Sequence, residues 1–320
     1  MQAYSKYSTN LDAHDKRLAQ YIHNKINSAT AWFASEMIHG TNIAIYIERL
    51  DEGEGELSIR FSSRGMMLEE DQESNLNFYS LDSIREVLEN KAIAMFNILS
   101  QPLIIYGTMC GNYYPDIKCE HKKLSSKVFY SPRTEFFVQD VKTLGEYLDY
   151  QTVRIFSKKA KFLNPPTRQI GSLEQCLATD TGALSTVYEL LGLDYPRSAH
   201  EELNTQAGVI IKPNRVHYHP NGARIVLESK SDAFIAKQQA SKDKNKKRKA
   251  DAVVRLAQEA EKRAIKNAKR AAKKAKKASA SASASASLTG AVAAKKIATK
   301  TTPTVKITIK KTRKVRKLES

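Results

Sequence analysis

Residues 35–42 read Ser-Glu-Met-Ile-His-Gly-Thr-Asn, and an apolar, β-branched run, Ile43–Ile47, follows at once. Such a run predicts a buried strand. The acidic, glycine-containing residues 51–55 predict a turn, and the alternating residues Leu57–Phe61 predict the strand that returns from it. The sequence therefore predicts a polar loop that leads directly into a pair of neighbouring strands.

This loop resembles the nucleotide-attachment motif of the RNA ligases that join nicked RNA, the phage and kinetoplastid RNA-editing ligases of the covalent nucleotidyltransferase superfamily. In that family the motif reads Glu-Lys-x-His-Gly-Thr-Asn, and its lysine takes AMP from ATP as a phosphoramidate. Here the other positions match, from Glu36 through His39 to Asn42, but Met37 stands where the lysine belongs. A thioether cannot form the phosphoramidate that a lysine amine forms with the α-phosphate. The stretch looks like an attachment site without its nucleophile.

Two later stretches resemble the middle motifs of the same family. Residues 103–115 resemble the third motif, in which a glutamate sits on the ribose or supports the metal, and Thr108 stands in its place. A hydroxyl cannot supply the negative charge that draws Mg²⁺. Residues 134–141 resemble the next motif, an aromatic strand whose ring stacks on the adenine. Phe136 or Phe137 keeps that option, and strand alternation allows only one of them to face a pocket.

The last two motifs follow within residues 206–230. The fourth resembles Glu-Gly-x-Val-x-Lys-Pro, with Lys212 matched and Ala207 in the place of the glutamate. The fifth resembles Lys-x-Lys, whose lysines hold the phosphates, with Lys230 matched and Glu228 in the place of the first lysine. The ordered set of five motifs is what identifies the fold, because each motif alone is a weak signal.

The resemblance also implies a set of binding residues. In the family an arginine after the second strand contacts the nucleotide or the RNA end, and Arg64 fits that position, although a plain exposed turn arginine is the alternative. The residues assigned in this way to a nucleotide or RNA-end pocket are Glu36, His39, Asn42, Arg64, Phe136, Phe137, Lys212 and Lys230. The alternative is that these side chains are retained only because they pack in the fold, without a binding role.

The departures from the family fall on the chemistry, at Met37, Thr108, Ala207 and Glu228. They remove a nucleophile, two carboxylates and a phosphate-binding lysine, and electrostatic assistance is most of what a phosphoryl-transfer site supplies. We therefore expect a pseudoenzyme that holds no metal and requires no cofactor. If the nucleotide pocket is nevertheless retained, ATP or AMP together with Mg²⁺ is the expected ligand. The alternative is an ATP-dependent RNA ligase, which joins RNA ends or nicks through a ligase–AMP intermediate, with a substituted nucleophile.

For the fold, the resemblance implies an α+β nucleotidyltransferase domain over residues 1–235, with ATP-grasp-like antiparallel sheets and flanking helices. Apolar residues at helical spacing predict an amphipathic helix around residues 18–26 and a longer helix over Leu81–Leu99. Shorter helices are predicted between the strands, at residues 144–151, 173–179 and 182–191.

The C-terminal quarter carries the chain's excess of positive charge. The net charge is +18, and residues 241–320 hold 26 Lys and Arg against 5 Asp and Glu. Residues 236–278 are predicted as a basic Ala/Lys-rich helix, and residues 279–320, which begin with an Ala-Ser repeat, as a disordered, low-complexity tail. Such a region favours nucleic acid, here RNA above all. A nucleic-acid condenser in which the tail does all the binding is a further non-enzymatic alternative.

Cysteine usage and hydropathy bear on the compartment. Three cysteines without disulfide or zinc spacing, and a polar N-terminus without a signal pattern, predict a reducing, intracellular compartment. No stretch approaches the ~20 apolar residues of a membrane span, so no membrane partner is expected. The basic run Lys246–Lys249 resembles a nuclear-import patch, which suggests a nuclear or virus-associated location, with protein partners in an RNA-processing or viral complex.

Overall fold

The computed structural model describes residues 3–26, 28–50, 55–68, 79–115, 117–119, 123–124, 128–196 and 203–286. The predicted turn at residues 51–54 and the last part of the predicted tail, residues 287–320, lie outside the described residues. The chain divides into two compact units, residues 1–246 and residues 247–320. Every predicted site residue belongs to the first unit.

The fold of the first unit is α+β, with two five-stranded sheets. Its strands are β1 (Leu11–Asp12), β2 (Trp32–Glu36), β3 (Thr41–Arg49), β4 (Leu57–Ser63), β5 (Leu103–Gly111), β6 (Thr134–Thr143), β7 (Glu146–Tyr147), β8 (Thr167–Gly171), β9 (Gly208–Pro213) and β10 (Leu227–Lys230). One sheet has the order β4-β3-β5-β6-β7, and the other has the order β1-β10-β9-β2-β8. All of these pairings are antiparallel except that of β1 with β10. The fold class expected from the resemblance is confirmed.

Seven helices accompany the strands in the described part of the chain: α1 (Lys16–Lys25), α2 (Tyr79–Asp82), α3 (Arg85–Leu99), α4 (Tyr150–Lys159), α5 (Leu173–Leu177), α6 (Val187–Leu190) and α7 (Asp232–Ala286). Asp15 caps α1 by accepting from the backbone N–H groups of Arg17 and Leu18. The helix predicted over Leu81–Leu99 is present but interrupted near Ser83, and Ile84 begins its main part without a side-chain cap.

The packing of the first sheet explains its central strands. Ile45, Ile47, Leu103 and Ile105 are completely buried and form one apolar cluster with the inner face of α3. Trp32 is also buried, in the cluster that α1 shares with the second sheet. Each sheet therefore has its own core, and the apolar periodicity in the sequence identified the strands and helices that line both.

The short helix predicted over residues 144–151 was wrong in its first half. Leu144 and Gly145 both have positive φ angles, +48° and +86°, and they form a two-residue turn that pairs Thr143 with Glu146. Two residues with positive φ are what a tight hairpin between right-twisted strands requires. The helix, α4, begins only at Tyr150.

The C-terminal helix α7 is 55 residues long and extends further than the sequence predicted. Its first turn is anchored by Phe234, which is buried, whereas residues 239–275 are exposed. It continues to Ala286, through most of the Ala-Ser repeat, which was predicted as the beginning of a disordered tail. Alanine is the residue with the highest helix propensity, and its contribution exceeds the weaker propensity of serine. No helix in the described part of the chain is both long and apolar enough to span a bilayer.

Candidate nucleotide and RNA-end site

A cavity of about 460 Å³ is lined by residues from both sheets, from the N-terminal segment and from the start of α7. Seven positions that the motifs singled out meet there: Met37, His39, Asn42, Arg64, Thr108, Glu228 and Lys230. The structure therefore brings together residues that lie up to about 190 positions apart in the sequence. We take this cavity as the candidate site.

The attachment-motif loop is held in place by backbone contacts. The Tyr130 hydroxyl accepts a hydrogen bond from the His39 N–H at 3.0 Å and donates to the Met37 carbonyl at 3.3 Å. Gly40 packs so tightly that an added Cβ would lie 2.0 Å from the Met109 carbonyl oxygen. The glycine of the motif is therefore required by close backbone approach. The His39 ring lies edge-on to Phe234, with ring centroids 4.8 Å apart.

Met37 lies at the edge of an apolar cluster. Only 8% of the residue is exposed, and the same cluster contains Ile38, Phe137 and Ala207. Ala207 is itself fully buried. Two of the four departures from the family, the lost lysine and a lost glutamate, thus lie in a single apolar environment.

Thr108 and Asn42 satisfy each other across neighbouring strands. They are directly opposed in the β3–β5 ladder, and the Thr108 hydroxyl donates to the Asn42 Oδ1 at 3.2 Å. The position at which the family has a glutamate is therefore occupied here by a neutral hydrogen-bonding pair. Hydroxyl and amide groups can form hydrogen bonds with a sugar or a base, but they bring no negative charge for a metal ion.

Glu228 and Lys230 stand two residues apart on β10, and they form an ion pair. The Lys230 Nζ lies 2.8 Å from Glu228 Oε1, and the Asn10 side-chain amide donates to Glu228 Oε2 at 3.1 Å. Glu228 is thus fixed at the cavity wall from two sides, with its side chain 25% exposed. The motif comparison placed Glu228 where the family has its first lysine. The structure shows that Glu228 also forms an ion pair with the second lysine of the motif, Lys230.

Lys212 does not line the cavity. It is buried, and its ammonium donates to the Asp140 carboxylate and to the Gln139 carbonyl, both at 2.8 Å. Arg224, also buried, donates to the same carboxylate oxygen at 2.6 Å. Burial alone would raise the pKa of Asp140, but the Arg224 guanidinium and the Lys212 ammonium hold that pKa well below its usual value. Burial likewise lowers the pKa of Lys212, although Asp140 opposes this effect.

Glu36 also points away from the cavity. It is completely buried, it accepts from Ser185 Oγ at 2.5 Å and from the Thr186 N–H at 3.1 Å, and it forms an ion pair with Arg168 at 2.8 Å. Burial raises the pKa of this carboxyl group despite these partners. Its place in the motif thus corresponds to a structural bridge between β2, β8 and the segment before α6.

Neither phenylalanine of the aromatic motif lines the cavity. Phe136 packs in the core beneath α3, with its ring against Gly107 and Phe162. Phe137 is completely buried in the cluster of Met37. Both therefore serve as strand core, which is the packing alternative left open above.

The N-terminal segment, residues 4–10, is the part of the site that the sequence did not reveal. Tyr7 stacks on Tyr106 with ring centroids 4.9 Å apart, and its hydroxyl donates to Asp140. The Ser5 carbonyl accepts from the hydroxyls of Tyr46 and Tyr106. Tyr7, Ser8, Thr9 and Asn10 all line the cavity. The paired tyrosines near the N-terminus were the only sequence signal, and they match no motif.

Among the described residues that line the cavity, Glu228 is the one carboxylate. Among the described residues, no three His, Cys, Asp or Glu side chains are grouped as metal ligands. Glu228 lines the cavity, but its two oxygens are already bonded to Lys230 and Asn10. Mg²⁺ binds proteins through one or two carboxylates together with waters and substrate phosphates, and the carboxylate at this wall is already engaged by Lys230 and Asn10.

Comparison with known proteins identifies the family. A sequence model of the RNA ligases matches residues 30–237, which is most of the first unit. The chain belongs to the RNA ligase family. It is 26% identical over 239 residues to mitochondrial RNA-editing ligase 1 of Trypanosoma brucei brucei, an alignment covering 63% of this chain and 49% of that protein. The chain thus spans about half the length of the curated relatives it matches.

Solved RNA ligases resemble the chain more distantly. An unliganded mutant of the Naegleria gruberi RNA ligase superposes with a TM-score of 0.45 and 15% identity, over 74% of this chain and 58% of that chain. A second mutant of the same ligase, with ATP and Mn, gives a TM-score of 0.43 and 15% identity, over 72% and 58% of the two chains.

Proposed function

We propose that this RNA-ligase-family chain binds a nucleotide or an RNA end in its cavity without ligating, and that its basic C-terminal region adds affinity for RNA. Binding and chemistry separate naturally at such a site, because hydrogen bonds to a base or sugar need no lysine nucleophile. His39, Asn42, Arg64 and Lys230 line the cavity and are the binding residues of the proposal. ATP or AMP is the expected small ligand, and RNA is the expected macromolecule.

One observation carries the loss of ligation: Met37 and Ala207 share a single apolar cluster. A lysine and a glutamate at these two positions would each place a charge against the apolar neighbours of this cluster, which stabilise a charge poorly. Met37 and Ala207 are both apolar, so neither position places a charge next to the other. If only one of the two motif residues had been replaced, the other would still carry its charge. This consistency supports a pseudoenzyme rather than a ligase with one altered residue.

The test is covalent labelling with α-labelled ATP and Mg²⁺, followed by a denaturing gel. We expect no label on the unaltered chain and none on the Met37→Lys variant, while an active RNA ligase in the same experiment becomes labelled. Binding of AMP to the unlabelled protein, measured by calorimetry, would complete the proposal. Label on the Met37→Lys variant alone would contradict it, because the rest of the site would then still be functional.

A substituted nucleophile is the second candidate, and Lys230 is the observation that favours it. This lysine lines the same cavity as Met37, and its side chain is 38% exposed. An ATP-dependent label on the unaltered chain that disappears in Lys230→Arg would establish the ligase reading. Loss of such a label in Lys212→Arg instead would place the nucleophile at the buried lysine.

A further inference from the structure

We propose that the cavity selects a nucleotide group with a single phosphate and rejects a triphosphate, with Arg64 binding that phosphate and Glu228 excluding further ones. This inference rests on the proposed function, because it names the ligand class of the same cavity. The shared chemistry is a nucleoside monophosphate, which is present both in free AMP and at the 5′-phosphorylated end of an RNA.

The first step concerns the buried cations between the two sheets. Lys212 and Arg224 both donate to Asp140, at 2.8 Å and 2.6 Å, and both are about 5% exposed or less. The Arg224 guanidinium also lies over the ring of Tyr147, 4.0 Å from its centroid. Neither cation can turn toward a ligand without leaving Asp140 as a buried, under-compensated charge. These two charges are therefore unavailable to a phosphate chain.

The second step concerns the cation that does line the cavity on β10. Lys230 is paired with Glu228 at 2.8 Å, so the two residues contribute no net charge to the wall. The Asn10 amide holds the second carboxylate oxygen at 3.1 Å and prevents Glu228 from turning away freely. A phosphate that approaches Lys230 must lie beside this fixed carboxylate, and such like-charge contacts oppose binding. Asn10 acts here as a positioning residue.

The third step concerns Arg64, which directly follows β4. It lines the cavity and also a smaller neighbouring one, and it is exposed. Tyr4 donates to its backbone carbonyl at 2.5 Å, which fixes the backbone, and among the described residues its guanidinium makes no ion pair. A guanidinium binds a phosphate through two parallel hydrogen bonds. Among the described residues that line the cavity, Arg64 is therefore the one arginine or lysine without an ion-pair partner, which matches one phosphate.

The test compares adenosine, AMP and ATP by calorimetry on the unaltered chain of residues 1–320 at fixed ionic strength. The exposed basic helix α7 will attract every polyanion, so each ligand is measured on matched variants that all carry the same helix. Glu228→Gln, which is isosteric, should raise ATP affinity about tenfold and change AMP affinity much less. Glu146→Gln, which removes an exposed carboxylate outside the cavity, is the control and should change neither.

A second variant tests the phosphate contact. Arg64→Gln should lower AMP affinity about tenfold and leave adenosine affinity unchanged. The two sources of the ligand are separated with short RNAs that carry a 5′-hydroxyl, a 5′-monophosphate or a 5′-triphosphate. A preference for the 5′-monophosphate RNA over the other two, lost in Arg64→Gln, would support an RNA end, whereas a preference confined to free AMP would support a nucleotide.

Two results separate the failure of this inference from the failure of the proposed function. If ATP binds as tightly as AMP in the unaltered chain and Glu228→Gln changes neither, the selection is overturned while nucleotide binding stands. If adenosine, AMP, ATP and the RNA ends do not bind, or bind with affinities that no substitution of His39, Asn42, Arg64 or Lys230 changes, the cavity is not a nucleotide site, and both proposals fail.

Discussion

The Lys212 ammonium lies 2.8 Å from the Asp140 carboxylate, and this pair joins the two sheets across the unit. Lys212 is on β9 and Asp140 is on β6, which belong to different sheets. Arg224 and Tyr7 bond to the same carboxylate, so one acid connects four segments. A lysine that the family resemblance assigned to ligand binding thus has a structural role. We call Asp140 and its three partners Lys212, Arg224 and Tyr7 the hub. Stability measurements on variants of the hub are the most direct test of how the two sheets are held together.

Replacement of Asp140 by asparagine should destabilise the first unit by about 3–5 kcal/mol, because Lys212 and Arg224 would remain buried without an anion. Trp32 is the only tryptophan of the chain and is 2% exposed, so its fluorescence reports unfolding of this unit in urea. Glu146→Gln, at an exposed carboxylate, serves as the control and should stay within about 0.5 kcal/mol of the unaltered chain. Equal midpoints for both variants would contradict the structural role of the hub.

The pH dependence of stability should identify the same carboxylate. The pKa of Asp140 is held below its usual value in the folded state, so the unfolded chain binds the proton first on acidification. Its contribution is complete above about pH 4 and is lost as the pH falls from there. The buried Glu36 has a raised pKa and acts with the opposite sign. The stability difference between the unaltered chain and Asp140→Asn should therefore shrink below pH 4, and a constant difference would refute the assignment.

Two substitutions at Tyr7 should separate the stacking of its ring from its hydrogen bond. Tyr7→Phe keeps the ring on Tyr106 and removes only the hydroxyl that donates to Asp140, so we expect a loss of about 1 kcal/mol. Tyr7→Ala also removes the ring and should lose about 3 kcal/mol. Trp32 fluorescence in urea measures both. Equal, negligible losses would mean that the N-terminal segment is not docked against the strands.

Removal of Arg168 should test whether Glu36 is structural. Arg168→Ala leaves the fully buried Glu36 with hydrogen bonds but without its cation, which should destabilise the unit by about 3–5 kcal/mol. Neither residue lines the cavity, so AMP affinity of the folded fraction should be unchanged. Calorimetry with AMP well below the unfolding temperature measures this. A selective loss of AMP affinity without loss of stability would return Glu36 to the binding site.

The sequence was informative where a motif residue has local partners and uninformative where its partner is distant. Gly40, the strand that follows it and the order of the motifs all came from local pattern. The roles of Lys212 and Glu36 did not, because their partners Asp140 and Arg168 are 72 and 132 positions away. A pattern of residue types specifies that a charge is present, but only the tertiary structure specifies which charge neutralises it. The position of the N-terminal segment could not be predicted for the same reason, because Tyr7 contacts the distant residues Tyr106 and Asp140.

Deletion of residues 241–320 should separate the contribution of the basic region from that of the cavity. The deleted segment carries 26 Lys and Arg against 5 Asp and Glu, so RNA affinity should fall and its dependence on salt should become much weaker. Replacing Lys246, Lys247, Arg248 and Lys249 by glutamine preserves helix propensity and should reduce the slope of log affinity against log salt by roughly 3. Filter binding of single-stranded RNA across a salt series measures both slopes.

Residual binding of the deleted chain that depends on the RNA end would support a binding cavity, whereas complete loss of binding would favour the condenser alternative. An unchanged slope after the deletion would show that the basic region does not contact RNA.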